Sequence, residues 1–320
     1  MRAVAVRAFR GTPEVMEIEA PSPAPGELLV RMSAAGLNPF DWKIADGILE
    51  GHRPHRFPLV IGVDGAGRVE KLGTGVSRFR VGDLVFGEFL HDPVGIGTVA
   101  DYSTVPESKS VTKIPPELDP IRAAALPMAG MTALDALERL GTDQGSSILI
   151  VGASGGVGSF ATELARARGA RVTAIARAAA ESRLRSLGAT DVLVYGSDHL
   201  MEQLRALYPN GVDGLLDLVS RTPELARFAE IVRSGGRAAT TVFAAPRNGE
   251  IAPGVQAIEI DLHPTTQLLE RLTREVGTRR LPVPVERTIG IEEAAAALAD
   301  IKAGRATGKT VVRISDDSNA

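Results

Sequence analysis

Two textures of apolar patterning divide the chain. Up to about residue 119 the apolar positions fall in short runs broken by Gly and Pro, without a helical period. Ala3 to Ala8, Glu27 to Ala34, Val60 to Leu72, Leu84 to Gly87 and Thr98 to Val105 read as strands, with turns at Ala24-Pro25-Gly26 and Val81-Gly82-Asp83. Glycines at 62, 65, 67, 73, 75, 82 and 87 imply the sharp bends or bulges of a twisted, partly closed sheet.

From about residue 120 the texture changes. Pro120 to Leu126 and Thr132 to Leu140 read as helices, and from Ser147 onward short apolar strands alternate with amphipathic helices. The strands are Ser147 to Gly152, Arg171 to Ala176, Asp191 to Val194, Gly214 to Val219, Gly236 to Thr241 and Gln256 to Ile260. Six such strands with helical crossovers predict a doubly wound parallel sheet, so the chain is α/β. A helix over Thr265 to Val276, a strand over Val283 to Thr288, an alanine-rich helix over Ile291 to Ala303 and a strand over Thr310 to Ile314 follow. This last stretch is expected to return to the first domain. The expected division is therefore 1–119 with 264–320 as one domain and 120–263 as the other, with a cleft between them. The polar tail from Ser315 is expected to fray.

The organising stretch is Ser147-Ile148-Leu149-Ile150-Val151-Gly152-Ala153-Ser154-Gly155-Gly156-Val157-Gly158, a buried strand, a glycine turn and the start of a helix. Such a turn aims backbone N–H groups and the positive end of a helix dipole at whatever lies above it, which suits a pyrophosphate. Ala153-x-Gly155-x-x-Gly158 departs from the dinucleotide fingerprint only in its first residue. The same residues also match the G-x-S-x-G elbow of serine hydrolases, with Ser154 as nucleophile and Asp217 and His263 following in serviceable order. The turn alone leaves both readings open.

Composition narrows the classes. Of 320 residues, 44% are hydrophobic and 23% charged, an ordinary globular balance; at this length two domains are expected. The net charge of −3, without runs of one sign, predicts neither nucleic acid nor an anionic membrane as partner. No apolar run approaches the roughly 20 residues that span a bilayer, and no signal-peptide pattern opens the chain, so a cytoplasmic location is expected. Zero cysteines exclude disulfides and thiolate-held metals. His52-x-x-His55 lies in a Pro- and Arg-rich loop and reads as two solvated histidines, so no metal is assigned.

Several segments together resemble the zinc-free, NADPH:quinone oxidoreductase and enone reductase branch of the medium-chain dehydrogenase/reductase superfamily. They are Ala35-Gly36-Leu37-Asn38-Pro39-Phe40-Asp41-Trp42-Lys43, Phe57-Pro58-Leu59-Val60-Ile61-Gly62-Val63-Asp64-Gly65-Ala66-Gly67, and Val81-Gly82-Asp83-Leu84-Val85-Phe86-Gly87. Ala124-Ala125-Leu126-Pro127-Met128-Ala129-Gly130-Met131-Thr132-Ala133, the glycine turn, Leu187-Gly188-Ala189-Thr190-Asp191 and Gly308-Lys309 extend the likeness. It implies a GroES-like β-rich catalytic domain, a Rossmann cofactor domain and a homodimer joined through the sheet edge, with Gln256 to Ile260 as the expected seam. Where zinc-dependent members carry a cysteine, a His-Glu pair and a second cysteine or acid, this chain has Asn38, Val63-Asp64 and Met128. Valine cannot ligate, and neither methionine nor asparagine is a credible zinc ligand. The resemblance thus implies hydride transfer to an acceptor that is already electrophilic, a quinone or an α,β-unsaturated carbonyl, with protein donors for the developing oxygen charge.

Asn38 and Lys43 are the expected catalytic residues, Lys43 stabilising an enolate or relaying a proton unless it is a plain surface lysine. For the cofactor, the second strand of the glycine-turn unit ends Ala174-Ile175-Ala176-Arg177, without the carboxylate that accepts a ribose diol and with a guanidinium for a 2′-phosphate. NADPH is therefore expected, with Arg183 assisting Arg177. By resemblance, Tyr195 lies near the adenosine phosphate, Thr132 near the nicotinamide ribose, Ser154, Gly155, Gly156 and Val157 around the pyrophosphate, and Val219 and Phe243 near the nicotinamide half, while Lys309, beside the returning strand, is expected to reach the cofactor cleft. A protein that binds NADPH without turnover is the alternative, and the serine hydrolase a remote one, since it leaves Gly158, Arg177 and the β-rich domain unexplained.

Overall fold

The strand Glu27–Gly36, alternating little and buried along nearly its whole length, is the axis of the β-rich part. In the computed structural model, which describes residues 1–315, it pairs antiparallel with Asp64–Leu72 along one side. Along the other it pairs with Tyr102–Pro106 and then with Lys309–Arg313. Leu84–Glu88 and Val111–Lys113 extend the sheet beyond Asp64–Leu72, and Val285–Gly290 lies parallel to Lys309–Arg313 at the opposite end. A small second sheet joins Arg2–Val6 to Glu14–Glu17 and Leu59–Val60. The core between these layers is aliphatic, with Val4, Leu28, Val30, Met32, Ile61, Val69, Val85 and Val312 among its buried members.

The single strand expected over Val60 to Leu72 is two strands, because Gly62 takes φ +99° between them. A side chain is disfavoured in that conformation. The register places Gly36 opposite Asp64 and also opposite Val311. Three distant segments therefore meet where the long strand ends.

The chain divides into one unit of residues 1–131, 264–278 and 282–320 and another of 132–263 and 279–281. The change of pattern near residue 120 marks the helices Pro120–Ala125 and Pro127–Leu140, and the division falls inside the second. The second unit is a seven-stranded sheet in the order Asp191–Val194, Arg171–Ala176, Ser147–Val151, Val212–Asp217, Val232–Thr240, Val255–Glu259, Glu250–Ala252. The first six run parallel, and the inner strands Ser147–Val151, Arg171–Ala176 and Val212–Asp217 are buried along nearly their whole length, as strands covered on both faces are.

Glu250–Ala252, three residues long and not among the expected strands, pairs antiparallel with Val255–Glu259. Gln256 to Ile260 is therefore an inner strand rather than the sheet edge, and the seam assigned to it is corrected: the edge is Glu250–Ala252. Ser315 is also tethered rather than frayed, its hydroxyl donating to the Met32 carbonyl at 3.0 Å; the rest of the expected tail, 316–320, lies outside the described residues. Among the described residues no helix is long and apolar enough to cross a membrane.

Candidate functional site

In the parallel-sheet unit the strand Ser147–Val151 ends at Gly152, whose φ of +79° and closeness to Val219 leave no room for a side chain. Gly155 is the N-cap of the helix Gly156–Ala167. A Cβ on Gly158 would lie 2.6 Å from both the Ala153 Cα and the Gly152 oxygen. This glycine lets helix and strand approach. A Cβ on Gly155 would meet only the Gly152 oxygen, at 3.5 Å, so packing leaves that position free to face a ligand.

Ser154 to Val157 are half-buried at the turn, and the first-turn N–H groups of a helix lack partners within it. Arg183 supports the turn, donating to the Ser154 carbonyl at 2.7 Å and the Ser159 hydroxyl at 2.9 Å. It buttresses the loop from its own unit.

The chain order of the strands reverses between Ser147–Val151 and Val212–Asp217, and Gly152 and Val219 stand beside each other there. In open α/β sheets such a switch point, at the carboxyl ends of the strands, is where ligands bind. Arg177 is exposed directly after Arg171–Ala176. Tyr195 follows the neighbouring strand; its N–H donates to the Ala176 carbonyl and its hydroxyl to Glu224 at 2.7 Å. That hydrogen bond, with partial burial and the Glu224 charge, pushes the phenol up to about 12.

Val219 is exposed, and Phe243 is 74% exposed with φ +56°. Glu259 anchors this left-handed loop, accepting the N–H groups of Phe243 at 2.9 Å and Ala245 at 3.3 Å. Glycine turn, Arg177, Tyr195, Val219 and Phe243 thus share one edge of the sheet. Thr132 lies apart from that edge in sequence, buried on the helix Pro127–Leu140.

The hydrolase reading needs Asp217 and His263 to converge on Ser154. Asp217 instead accepts the N–H groups of Val219 and Ser220, and His263 Nδ1 is held at 2.8 Å from the Asp261 carbonyl. No triad is assembled.

In the β-rich unit the meeting point of three strands is a buried polar cluster. Lys309 is 2% exposed, Asp64 0% and Asn38 5%. The Lys309 ammonium donates to Asn38 Oδ1 at 2.6 Å and to Asp64 Oδ2 at 3.1 Å, and Asn38 Nδ2 donates to the same Asp64 oxygen at 2.9 Å. The second Asn38 N–H reaches the Gly36 carbonyl at 3.2 Å, and the Met128 N–H donates to the Asp64 carboxylate.

Asp41 holds the adjoining backbone, accepting from Asn38 N–H at 2.6 Å and from Val63 N–H at 3.0 Å. Burial pushes its carboxyl up to about 7, with the Asp64 charge adding to the rise and the Asn38 and Lys309 interactions opposing it. Glu88 is likewise pushed up to about 7, by burial first and then by Asp64. Burial raises Asp64 too, against Lys309 and Asn38.

Asn38 therefore has both amide N–H groups engaged inside the protein. Lys309, expected beside the cofactor, has its ammonium engaged in the same cluster. Lys43, on the helix Pro39–Ala45, is half-buried with its ammonium 5.9 Å from the Trp42 ring centroid, and no ion pair joins it among the described residues.

Sequence reasoning passed over Asp41 and the helix whose first turn it occupies. The signal was present in Asn38-Pro39-x-Asp41: a cap residue, proline at the first helical position and an acid at the third.

A parallel dinucleotide-binding sheet with a β-rich partner unit defines an oxidoreductase architecture. Residues 24–116 match the alcohol dehydrogenase GroES-like domain, and residues 187–312 the family described as zinc-binding dehydrogenase. A chloroplastic quinone-oxidoreductase homolog of Spinacia oleracea is 31% identical over 98% of both chains. A trans-enoyl reductase of Aspergillus terreus is 30% identical over 91% of this chain and 87% of its own. A chloroplast envelope quinone oxidoreductase homolog of Arabidopsis thaliana is 39% identical, but over only 57% of this chain and 56% of its own. A mycobacterial protein solved in complex with NADPH superposes with a TM-score of 0.83 at 25% identity, covering 98% of this chain and all of that one. The chain belongs to the medium-chain dehydrogenase/reductase superfamily, a family of oxidoreductases.

Zinc does not fit the residues at the corresponding place. Asn38 and Asp64 already surround an ammonium, Val63 and Met128 offer no ligand of the right kind, and no three His, Asp or Glu among the described residues are grouped to hold a metal.

Proposed function

We propose that the chain reduces a quinone or an α,β-unsaturated carbonyl with NADPH and without a metal. The observation that carries this reading is the Lys309 ammonium on Asn38 and Asp64, where zinc-dependent relatives hold their ion. Without a Lewis acid to polarise an unactivated carbonyl or acidify an alcohol, the acceptor must itself take hydride readily. The names of the spinach and Aspergillus relatives support the two acceptor classes.

NADPH, when bound, supplies hydride to an acceptor carbon. The glycine turn offers N–H groups to the pyrophosphate, and Arg177, with no carboxylate after its strand, suits a 2′-phosphate. That the mycobacterial neighbour was solved with NADPH supports a nicotinamide dinucleotide on this sheet. Val219 and Phe243 supply apolar surface for the nicotinamide half. Lys43 donates to the oxygen on which negative charge grows, and can return a proton to it. Asn38, with its amide engaged, acts by holding that segment. A homodimer and a cytoplasmic location complete the proposal.

The test is steady-state NADPH oxidation with a panel of quinones and enones, run with and without a strong chelator. Turnover indifferent to the chelator is expected. If no acceptor is reduced while NADPH still binds, the chain is a cofactor-binding protein without turnover.

A further inference from the structure

We propose that Lys309 is a resident cation that does for this chain what a metal ion does at the corresponding place: it gathers Asn38 and Asp64 and so positions the segment that carries Lys43. The inference rests on the metal-free reading above and deepens it.

The cluster has the economy of an ion site. One positive centre takes oxygens from two segments, Asn38 Oδ1 at 2.6 Å and Asp64 Oδ2 at 3.1 Å, and these two partners also bond each other at 2.9 Å, closing a triangle. An outer ring fixes each partner. Asp41 grips the Asn38 backbone, Met128 N–H donates to the Asp64 carboxylate, and Thr98 Oγ1 donates to the Asp64 carbonyl at 2.8 Å.

The lysine stem is built in as closely as its head. A Cβ on Gly36 would collide with the Ala124 carbonyl and lie 3.0 Å from Lys309 Cε, so the backbone of Ala124 requires glycine here and the stem passes close beside it. Gly308, at φ +61°, turns the chain into the buried lysine.

The difference from a metal is chemical. An ammonium balances Asp64 and orders its neighbours, yet it has no exchangeable coordination position to offer an alkoxide or carbonyl oxygen. Lys309 is thus a positioning residue. It acts through Asn38, which immediately precedes the helix Pro39–Ala45 bearing Lys43.

The test compares Lys309→Met, the charge-neutral pair Lys309→Met with Asp64→Asn, and Lys309→Cys alkylated with 2-bromoethylamine. Alkylation restores an ammonium at the same reach, and because the chain has no cysteine it is confined to one site. Lys309→Met alone is expected to melt well below the wild type, since it leaves Asp64 buried without its counter-charge. The neutral pair is expected to recover most of the melting temperature and to bind NADPH as tightly as the wild type by fluorescence titration. Its kcat with a quinone should nevertheless fall on the order of 100-fold, the scale of an ångström of misplacement. The alkylated variant should regain kcat.

A neutral pair with wild-type kcat, an alkylated variant that stays slow, or wild-type enzyme purified with stoichiometric zinc would each overturn the inference. If the wild type turns over no acceptor, the functional reading has failed and the cation is judged separately, by NMR. The Asn38 side-chain N–H pair should exchange slowly in the wild type and in the alkylated variant and rapidly in the neutral pair. Equal exchange in all three overturns it.

Discussion

The two glycines of the cofactor turn should respond oppositely to the same methyl group. In Gly158→Ala the added carbon would start 2.6 Å from Ala153 Cα and the Gly152 oxygen, where ordinary contact begins near 3.4 Å, so the helix must retreat by about 0.8 Å. Overpacking of this kind costs about 1–3 kcal/mol or more, against roughly 1 kcal/mol that alanine returns inside a helix. A net loss of about 1–2 kcal/mol lowers the melting temperature by about 2–8 °C in a unit of this size.

In Gly155→Ala the methyl meets one atom at 3.5 Å and the backbone φ is −78°, so the fold accepts it, with melting within about 2–4 °C of wild type. The same methyl stands where a pyrophosphate would approach the turn. Displacing a phosphate oxygen from one backbone N–H forfeits about 1.5–3 kcal/mol, or roughly 10- to 150-fold in NADPH affinity. Thermal melts and NADPH fluorescence titrations on both variants decide the matter. A Gly155→Ala enzyme that binds NADPH as well as the wild type would show that no phosphate lies on this turn, and the placement of the cofactor there would fall.

Further outcomes follow from other parts of the fold. Arg177→Ala should raise the KM for NADPH about tenfold or more by loss of a charge-assisted bond while leaving that for NADH unchanged; an unaltered NADPH to NADH ratio removes the 2′-phosphate argument. Glu163, buried on the helix Gly156–Ala167, is raised from 4.5 to about 7 chiefly by burial, opposed by Arg166. A folded pKa above the unfolded one means its contribution is whole below about pH 4.5 and is lost as pH rises through 7, by at most about 3 kcal/mol. Glu163→Gln should flatten that decline, and equal urea midpoint changes between pH 5 and pH 8 in variant and wild type would count against it. Glu259→Ala removes the carboxylate that accepts the Phe243 and Ala245 N–H groups, so the KM for NADPH should rise several-fold, and an unchanged KM would count against a nicotinamide contact at Phe243. Phe243→Gly, relieved of about 1 kcal/mol of left-handed strain, should melt no lower than wild type; a clear drop would mean that the phenyl ring packs.

Much of this was legible because it is written locally. The first strands of the parallel sheet announce themselves as largely apolar runs, and the glycine turn, Arg177 and Tyr195 are each placed by the strand they follow. What was hidden depends on register and on partners far along the chain. Among the glycines expected to bend Val60 to Leu72, nothing in the sequence says that Gly62 rather than Gly65 or Gly67 breaks the strand, and the short Glu250–Ala252 is a strand only because Val255–Glu259 offers it a ladder. Asn38 and Lys309 carry donors and acceptors suited to a substrate or cofactor, and the spacing of the sequence cannot show that each answers the other. The pairing of Gly36 with both Asp64 and Val311 decides that.

That pairing has a consequence for how the protein comes into being. Lys309 lies 245 residues after Asp64 and 271 after Asn38. At about 5–20 residues per second, synthesis delivers it roughly 12–50 s after the carboxylate it must meet. During that interval the β-rich sheet lacks both the strand Lys309–Arg313 and the positive charge for its interior acid, and Asp64 must stay hydrated or protonated. The closing of this unit is therefore a late act of the nascent chain, with the cation entering last.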